Sequence, residues 1–301
     1  MKKYQILLII VFIHVLNKLW AQEPCPYKKA SNEAVILDLK EVQKICAKIF
    51  NCKMQSDSSA EVIHCTKTVA NYPNPVHLYI PTKLDLNKKV ETFVHFHGHN
   101  IGHDHFLKTK NPGEGYGDYG SFLSNSEVNG ILAIPESDGN CNTYDSYFAN
   151  PKNASAFLDG ILKTTNAKEN TLHLSGHSGA YRVLNRLASY ANDGSVESLK
   201  ELHSIGLFDA TYGSIAHIEA WTKKHYQARD KFLFYNTFID GPKATASRIS
   251  LELKEKYKTT PSDSIVFKPV HEPKEMDGVL QHFNVLRDGS LKNFFMLAEK
   301  R

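Results

Sequence analysis

From about residue 76 onward, short runs of consecutive apolar residues alternate with longer stretches in which apolar positions recur every three or four residues. The runs are Val76–Ile80, Thr92–Phe96, Ile131–Ile134, Thr171–Leu174, Ser204–Phe208, Phe232–Phe238 and Ile265–Val270. Between or after them lie Ala154–Lys163, Ala180–Tyr190, Ile215–Tyr226, Lys243–Lys256 and Leu291–Lys300, all with helical periodicity. Runs without polar alternation suit strands covered on both faces. The alternation predicts an α/β chain: a mostly parallel sheet flanked by helices. Upstream, Ser31 can cap a helix through Lys53, with Val35, Ile36, Leu39, Val42, Ile45, Ile49 and Phe50 near helical spacing. A strand over Val62–Val69 follows, and Pro73 and Pro75 break the chain. Residues 22–75 are expected to pack on the sheet as an extension of edge strands and a helix; a separate small domain is the alternative. Residues 76–301 form the main domain.

The N-terminus begins with the basic pair Lys2-Lys3 and an apolar run from Ile6 to Leu16. That run has the length of a signal-peptide core rather than of a membrane span. Cleavage is expected after Ala21, which makes residues 1–21 a signal peptide and the mature protein secreted or periplasmic, without a membrane attachment.

One of the apolar runs leads into Leu174-Ser175-Gly176-His177-Ser178-Gly179-Ala180. A strand that turns sharply into a helix with serine at the apex holds a nucleophile exposed in a strained backbone conformation, so small neighbours are required. Gly176, Gly179 and Ala180 are small. The amides at the helix start, Gly179 among them, point to where an oxyanion would form.

On this motif the chain resembles the α/β-hydrolase superfamily, over roughly residues 76–300, and residues 76–301 read as its catalytic domain. His95-Phe96-His97-Gly98-His99, at the end of an earlier run, is similar to the superfamily's His-Gly oxyanion motif. The resemblance implies that the amide of His99, or of Gly98, pairs with that of Gly179 around an oxyanion. It also implies the chain order serine, acid, histidine. The acid should stand just past a later strand, where Asp209 and Asp240 are the candidates. Asp209 is preferred, because its flank is apolar and a carboxylate there needs a partner, whereas Asp240-Gly241 is an ordinary turn dipeptide. The base should follow the strand Ile265–Val270. His282 is preferred over His271, because a loop before it lets the imidazole reach back to the turn.

Other features compete for attention. His95, His97, His99, His103, Asp104 and His105 crowd together, and imidazoles are common metal ligands. The metallohydrolase order HxHxDH is absent, so these histidines are expected to rim the site without holding a metal, and no cofactor is expected. Tyr116 and Tyr119 lie on a Gly-rich loop, where they are either exposed rings that stack on flat ligand faces such as sugars or ordinary core tyrosines on a connection. Arg182, just past the nucleophile, is a candidate for a substrate carboxylate or, alternatively, for a structural ion pair. Asn153-Ala154-Ser155 is a chance-frequency glycosylation sequon.

Composition adds limits. At roughly 150 residues per domain, 301 residues make one large domain or two small ones. Hydrophobic residues are 42% and charged residues 23%, which excludes collagen-like, coiled-coil or largely disordered chains. The formal charge is +4, and three of the cations lie in the first 21 residues, so nucleic acid is not expected as a partner. All five cysteines fall in the exported part, and two disulfides among Cys25, Cys46, Cys52 and Cys65 are expected, with Cys141 free. The reading is an exported serine hydrolase cleaving an acylated carbohydrate or small ester through an acyl-enzyme. The rivals are a metal-dependent hydrolase built on the His95–His105 cluster and a non-catalytic binding protein on the same fold. The oligomeric state stays open.

Overall fold

The computed structural model describes residues 48, 50–55, 61–98, 119–138, 141–239, 245–258, 263–270, 282, 285–286 and 289–301. Cys25, Cys46, His99, His103, Asp104, His105, Tyr116, Asp240 and His271 lie outside these residues. Among the described residues, nine strands form one sheet in the order β1-β2-β3-β5-β4-β6-β7-β8-β9. They are β1 (Lys53–Met54), β2 (Val62–Lys67), β3 (Val76–Pro81), β4 (Val90–Phe96), β5 (Gly130–Pro135), β6 (Asn170–His177), β7 (Leu202–Phe208), β8 (Leu233–Ile239) and β9 (Ile265–Val270). Pairings from β5 through β9 are all parallel, whereas β1, β2 and β3 join by antiparallel pairings. Seven helices are described in full among the described residues: α1 (Tyr119–Ser124), α2 (Asn142–Tyr147), α3 (Pro151–Leu162), α4 (Tyr181–Asp193), α5 (Ala216–Ala228), α6 (Thr245–Lys256) and α7 (Ser290–Glu299).

The apolar runs form the strands because both of their faces are covered. β3, β4 and β5 are buried along their whole length. One core layer packs Tyr144, Phe157, Leu184 and Trp221, from α2, α3, α4 and α5, on the sheet. The other packs Tyr119, Leu123, Phe294 and Phe295, from α1 and α7, on the opposite face. Each such large side chain contributes about 1.5–3 kcal/mol on leaving water. Among the described residues no helix is long and apolar enough to cross a membrane.

Two sequence expectations need correction. The helix expected through Lys53 stops earlier. Asn51 has φ +49° and its N–H bonds Lys48 O at 3.2 Å, which closes the last turn. Cys52 is then tied to Cys65 by a disulfide, and β1 pairs with β2. The strand from Val62 ends at Lys67, before a turn at Ala70 (φ +49°). Asn153 of the sequon lies within α3, with its side-chain amide donating to Tyr147 O. A glycan on that nitrogen would break the bond. Cys141 is free and buried, and burial pushes its thiol up to about 12.

Candidate active site

The site forms where β4, β6 and β7 reach their C-terminal ends. His177, the last residue of β6, is extended, and Ser178 follows with φ +54°. A non-glycine residue in the left-handed region costs about 1–3 kcal/mol, so its persistence marks a turn that the surrounding packing imposes. Ser178–Ala180 make one 3₁₀ turn that runs directly into α4.

The small neighbours are there for space. A Cβ on Gly176 would lie 2.8 Å from Ala180 Cβ and 3.0 Å from Leu184 Cδ1, where strand and helix cross closely. A Cβ on Gly98 would lie 2.7 Å from Ser178 Cβ. The end of β4 is therefore pressed against the serine, and Gly98 and Gly179 flank it. Ser178 is half-buried and Gly179 is buried.

Asp209 stands directly after β7, with φ +42° and 2% exposure. Its N–H donates to Thr237 O at 2.8 Å, which carries the chain across onto β8. Thr211 Oγ1 donates to Ala246 O at 2.7 Å, pinning the turn to α6. His282 Nδ1 lies 2.5 Å from Asp209 Oδ2. With Nδ1–H donating to the carboxylate, Nε2 keeps its lone pair and can act as a base.

Two contacts connect this histidine to the serine turn. His177 Nε2–H donates to His282 O at 2.9 Å, and the two rings lie 4.4 Å apart. The residue beside Ser178 thus holds the backbone of His282. Burial, reinforced by the neighbouring His282, drives the His177 pKa well below its ordinary value, so it stays neutral. From the other side, the Tyr212 hydroxyl lies 2.9 Å from Asp209 Oδ2 and 3.1 Å from His282 Nδ1.

The structure thus brings together Ser178, Asp209, His282, Gly98 and Gly179. Neither His177 nor Tyr212 was singled out from sequence. His177 occupies the variable position of the serine motif. The faint signal for Tyr212 was an aromatic three residues past the acid, within reach of a turn folding back.

One of the predicted substrate contacts does not hold. Tyr119 is 1% exposed in α1, with its ring 5.4 Å from His95 and 6.3 Å from Tyr79, so it is a core side chain and not a stacking platform. The helix α1 begins at Tyr119 and turns the ring toward the sheet. Arg182 pairs with Asp145 at 3.0 Å, the structural ion-pair alternative, which links α4 to α2.

The histidines at the end of β4 and just past it are used internally. His97 Nδ1–H donates to Gly98 O at 2.9 Å, and Nε2 accepts from the Ser137 N–H at 3.0 Å, so both ring nitrogens are committed. His95 Nδ1 bonds Ser175 Oγ at 2.9 Å. Burial lowers their pKa values to about 3 for His95 and about 4 for His97. Among the described residues, no group of three or more His, Cys, Asp or Glu side chains is arranged to hold a metal ion.

No protein-family description matches the chain, and no curated protein matches it in sequence. Solved structures of related shape include the hyperthermophilic esterase from Pyrobaculum calidifontis, at 12% identity, covering 88% of this chain and 94% of that one, with a TM-score of 0.49. A mutant feruloyl esterase module from Clostridium thermocellum, complexed with sinapinate, has 13% identity, coverage of 81% and 93%, and a TM-score of 0.48. An S-formylglutathione hydrolase from Agrobacterium tumefaciens has 9% identity, coverage of 83% and 99%, and a TM-score of 0.48. The fold assignment rests instead on the strand order and on the strained serine turn between β6 and α4. The chain has the α/β-hydrolase fold, a mostly parallel sheet flanked by helices.

Proposed function

We propose that this protein is an exported serine hydrolase that cleaves a carboxylic ester through an acyl-enzyme. The observation that carries the reading is the Asp209–His282 hydrogen bond, held by His177 against the strained turn that bears Ser178. In this reaction Ser178 Oγ attacks the ester carbonyl carbon while His282 Nε2 takes the hydroxyl proton. The negative charge on the carbonyl oxygen is met by the amides of Gly179 and of Gly98 or His99. Collapse breaks the bond to the alcohol, which leaves with the proton from His282. Water then attacks the acylated Ser178, giving its proton to His282. The acid product departs and the serine regains the proton. Asp209 holds the imidazole tautomer and stabilises the imidazolium throughout.

The substrate class is a small ester or an acylated carbohydrate, since no long apolar lid segment is evident in the sequence. Sugar stacking, if used, falls to Tyr116 now that Tyr119 is a core residue. Export is supported by the N-terminal apolar run and by the Cys52–Cys65 disulfide, which persists in oxidising compartments. The test is reaction with a fluorophosphonate probe, with the modified residue located by mass spectrometry. Label on Ser178 is the expected result. A folded sample that takes no label, or takes it elsewhere, overturns the reading, and activity abolished by a chelator would favour the metal rival.

A further inference from the structure

Tyr212 lies beyond the three residues that the proposed reaction requires. It follows Asp209 by three residues, is 38% exposed, and presents its ring to His282 at a 78° interplanar angle with centroids 5.8 Å apart. Its hydroxyl closes a triangle with the acid and the base: 2.9 Å to Asp209 Oδ2, 3.1 Å to His282 Nδ1, and 2.5 Å between those two. Burial, and next the Asp209 carboxylate, raise its phenol pKa far above the ordinary value, so the group remains a neutral donor.

The need for such a donor is visible at Asp209. The carboxylate is almost wholly buried, and its Oδ1 has no hydrogen-bond partner among the described residues. Oδ2 therefore carries both donors. Each donor that reaches a buried carboxylate offsets part of the cost of taking that charge out of water.

Resting on the serine-hydrolase reading, we propose that Tyr212 is a positioning residue for the reaction. Its O–H donates to Asp209 Oδ2, and its phenol oxygen takes a share of the His282 Nδ1 proton. It acts through the acid–base pair and touches no substrate. Gly213 supports the placement: a Cβ there would lie 2.7 Å from Tyr181 Oη, so the turn carrying Tyr212 sits directly on the first residue of α4.

The test compares full-length wild type with Tyr212→Phe, which keeps the ring and removes the hydroxyl. The readouts are kcat and KM for p-nitrophenyl acetate, and the low-field proton NMR resonance of His282 Nδ1–H. A hydrogen bond to a charged group predicts a fall in kcat of about 10- to 100-fold. KM is expected to stay unchanged, and the resonance is expected to move once the proton is no longer shared with the phenol. Incorporating 3-fluorotyrosine at position 212 changes the hydroxyl's acidity at nearly constant shape. It is expected to move the same resonance and supplies the second measurement should Tyr212→Phe fail to fold. Unchanged kcat, or a lower kcat with the resonance unmoved, overturns the proposal and leaves Tyr212 a packing residue. These outcomes are read in a wild type that labels at Ser178. A wild type that does not label brings down the serine reading, and the role of Tyr212 with it.

Discussion

Two carboxylate–histidine pairs of this sheet have nearly the same hydrogen bond and quite different prospects. Near the N-terminal ends of β4 and β6, Glu91 Oε2 meets His173 Nε2 at 2.7 Å. At the C-terminal end of β7, Asp209 Oδ2 meets His282 Nδ1 at 2.5 Å. The first pair is sealed: His173 is fully buried and stacked on Phe93 at 4.6 Å, and its second nitrogen has no hydrogen-bond partner among the described residues. The second pair has an equally buried carboxylate, but its imidazole retains 20% exposure and stands beside the strained serine turn. A short bond to a carboxylate therefore does not make a histidine a base. What sets His282 apart is its partial exposure and its place beside the turn that bears Ser178.

That contrast breaks first at the serine. Ser178→Ala is expected to abolish hydrolysis of short p-nitrophenyl esters in a protein that still folds. The loss should leave only the ~10³–10⁴-fold advantage over water that an oxyanion hole and binding supply. Substantial esterase activity in that variant would place the chemistry elsewhere.

The two carboxylates sharpen the comparison. Asp209→Asn should lower kcat by roughly 10⁴-fold, as a wrongly oriented tautomer does in a triad. Glu91→Gln should leave kcat alone and reduce stability in urea unfolding by about 1–3 kcal/mol, because a charge-assisted buried bond is weakened. Equal kinetic effects from the two substitutions would remove the distinction drawn between the pairs.

Acid acts on the sealed histidines of the sheet. Burial holds His95 at about 3 and His97 at about 4, against an ordinary 6.5. Between those values and 6.5 the unfolded chain binds protons that the folded one refuses. Stability is therefore complete above pH 6.5 and is lost as pH falls toward 4 and then 3, at about 1.4 kcal/mol per pH unit for each such group. Glu91 has a folded pKa below its ordinary 4.5, through its bonds to His173 and Lys89 outweighing burial, so it adds to the loss only below pH 4.5. Thermal unfolding followed from pH 7 to 4 should show Tm level down to about pH 6.5 and falling from there to pH 4. A flat Tm over that range would mean that these imidazoles are accessible in the folded protein.

The sheet was legible because its strands are apolar on consecutive residues, and every run named from sequence became a strand. The serine turn was legible because its backbone demands small neighbours. Helices α1 and α2 were not, since each has six residues, too few to show a period. Tyr212 and His177 were hidden for another reason: their partners lie 70 and 105 residues away along the chain, and no local pattern marks a contact at that range. Tyr119 misled because a tyrosine at the end of a Gly-rich stretch looks solvent-facing, whereas here it opens a helix whose buried side faces the sheet. Arg182 had both readings open, and Asp145, in a helix that was not foreseen, took it.

The left-handed angles of Ser178 and Asp209, just past the ends of the neighbouring strands β6 and β7, also bear on how such a site is kept under selection. The fold would be steadier without them. Ser178→Gly accepts φ +54° freely, and relative to Ser178→Ala, which retains the strain, it is expected to unfold later by up to about 1 kcal/mol. If the Ala variant proves the steadier of the two, the turn is relaxed and stores nothing. If Gly does, drift toward a more stable and inert protein is downhill at this position, and only a continuing demand for the hydroxyl would keep a serine there.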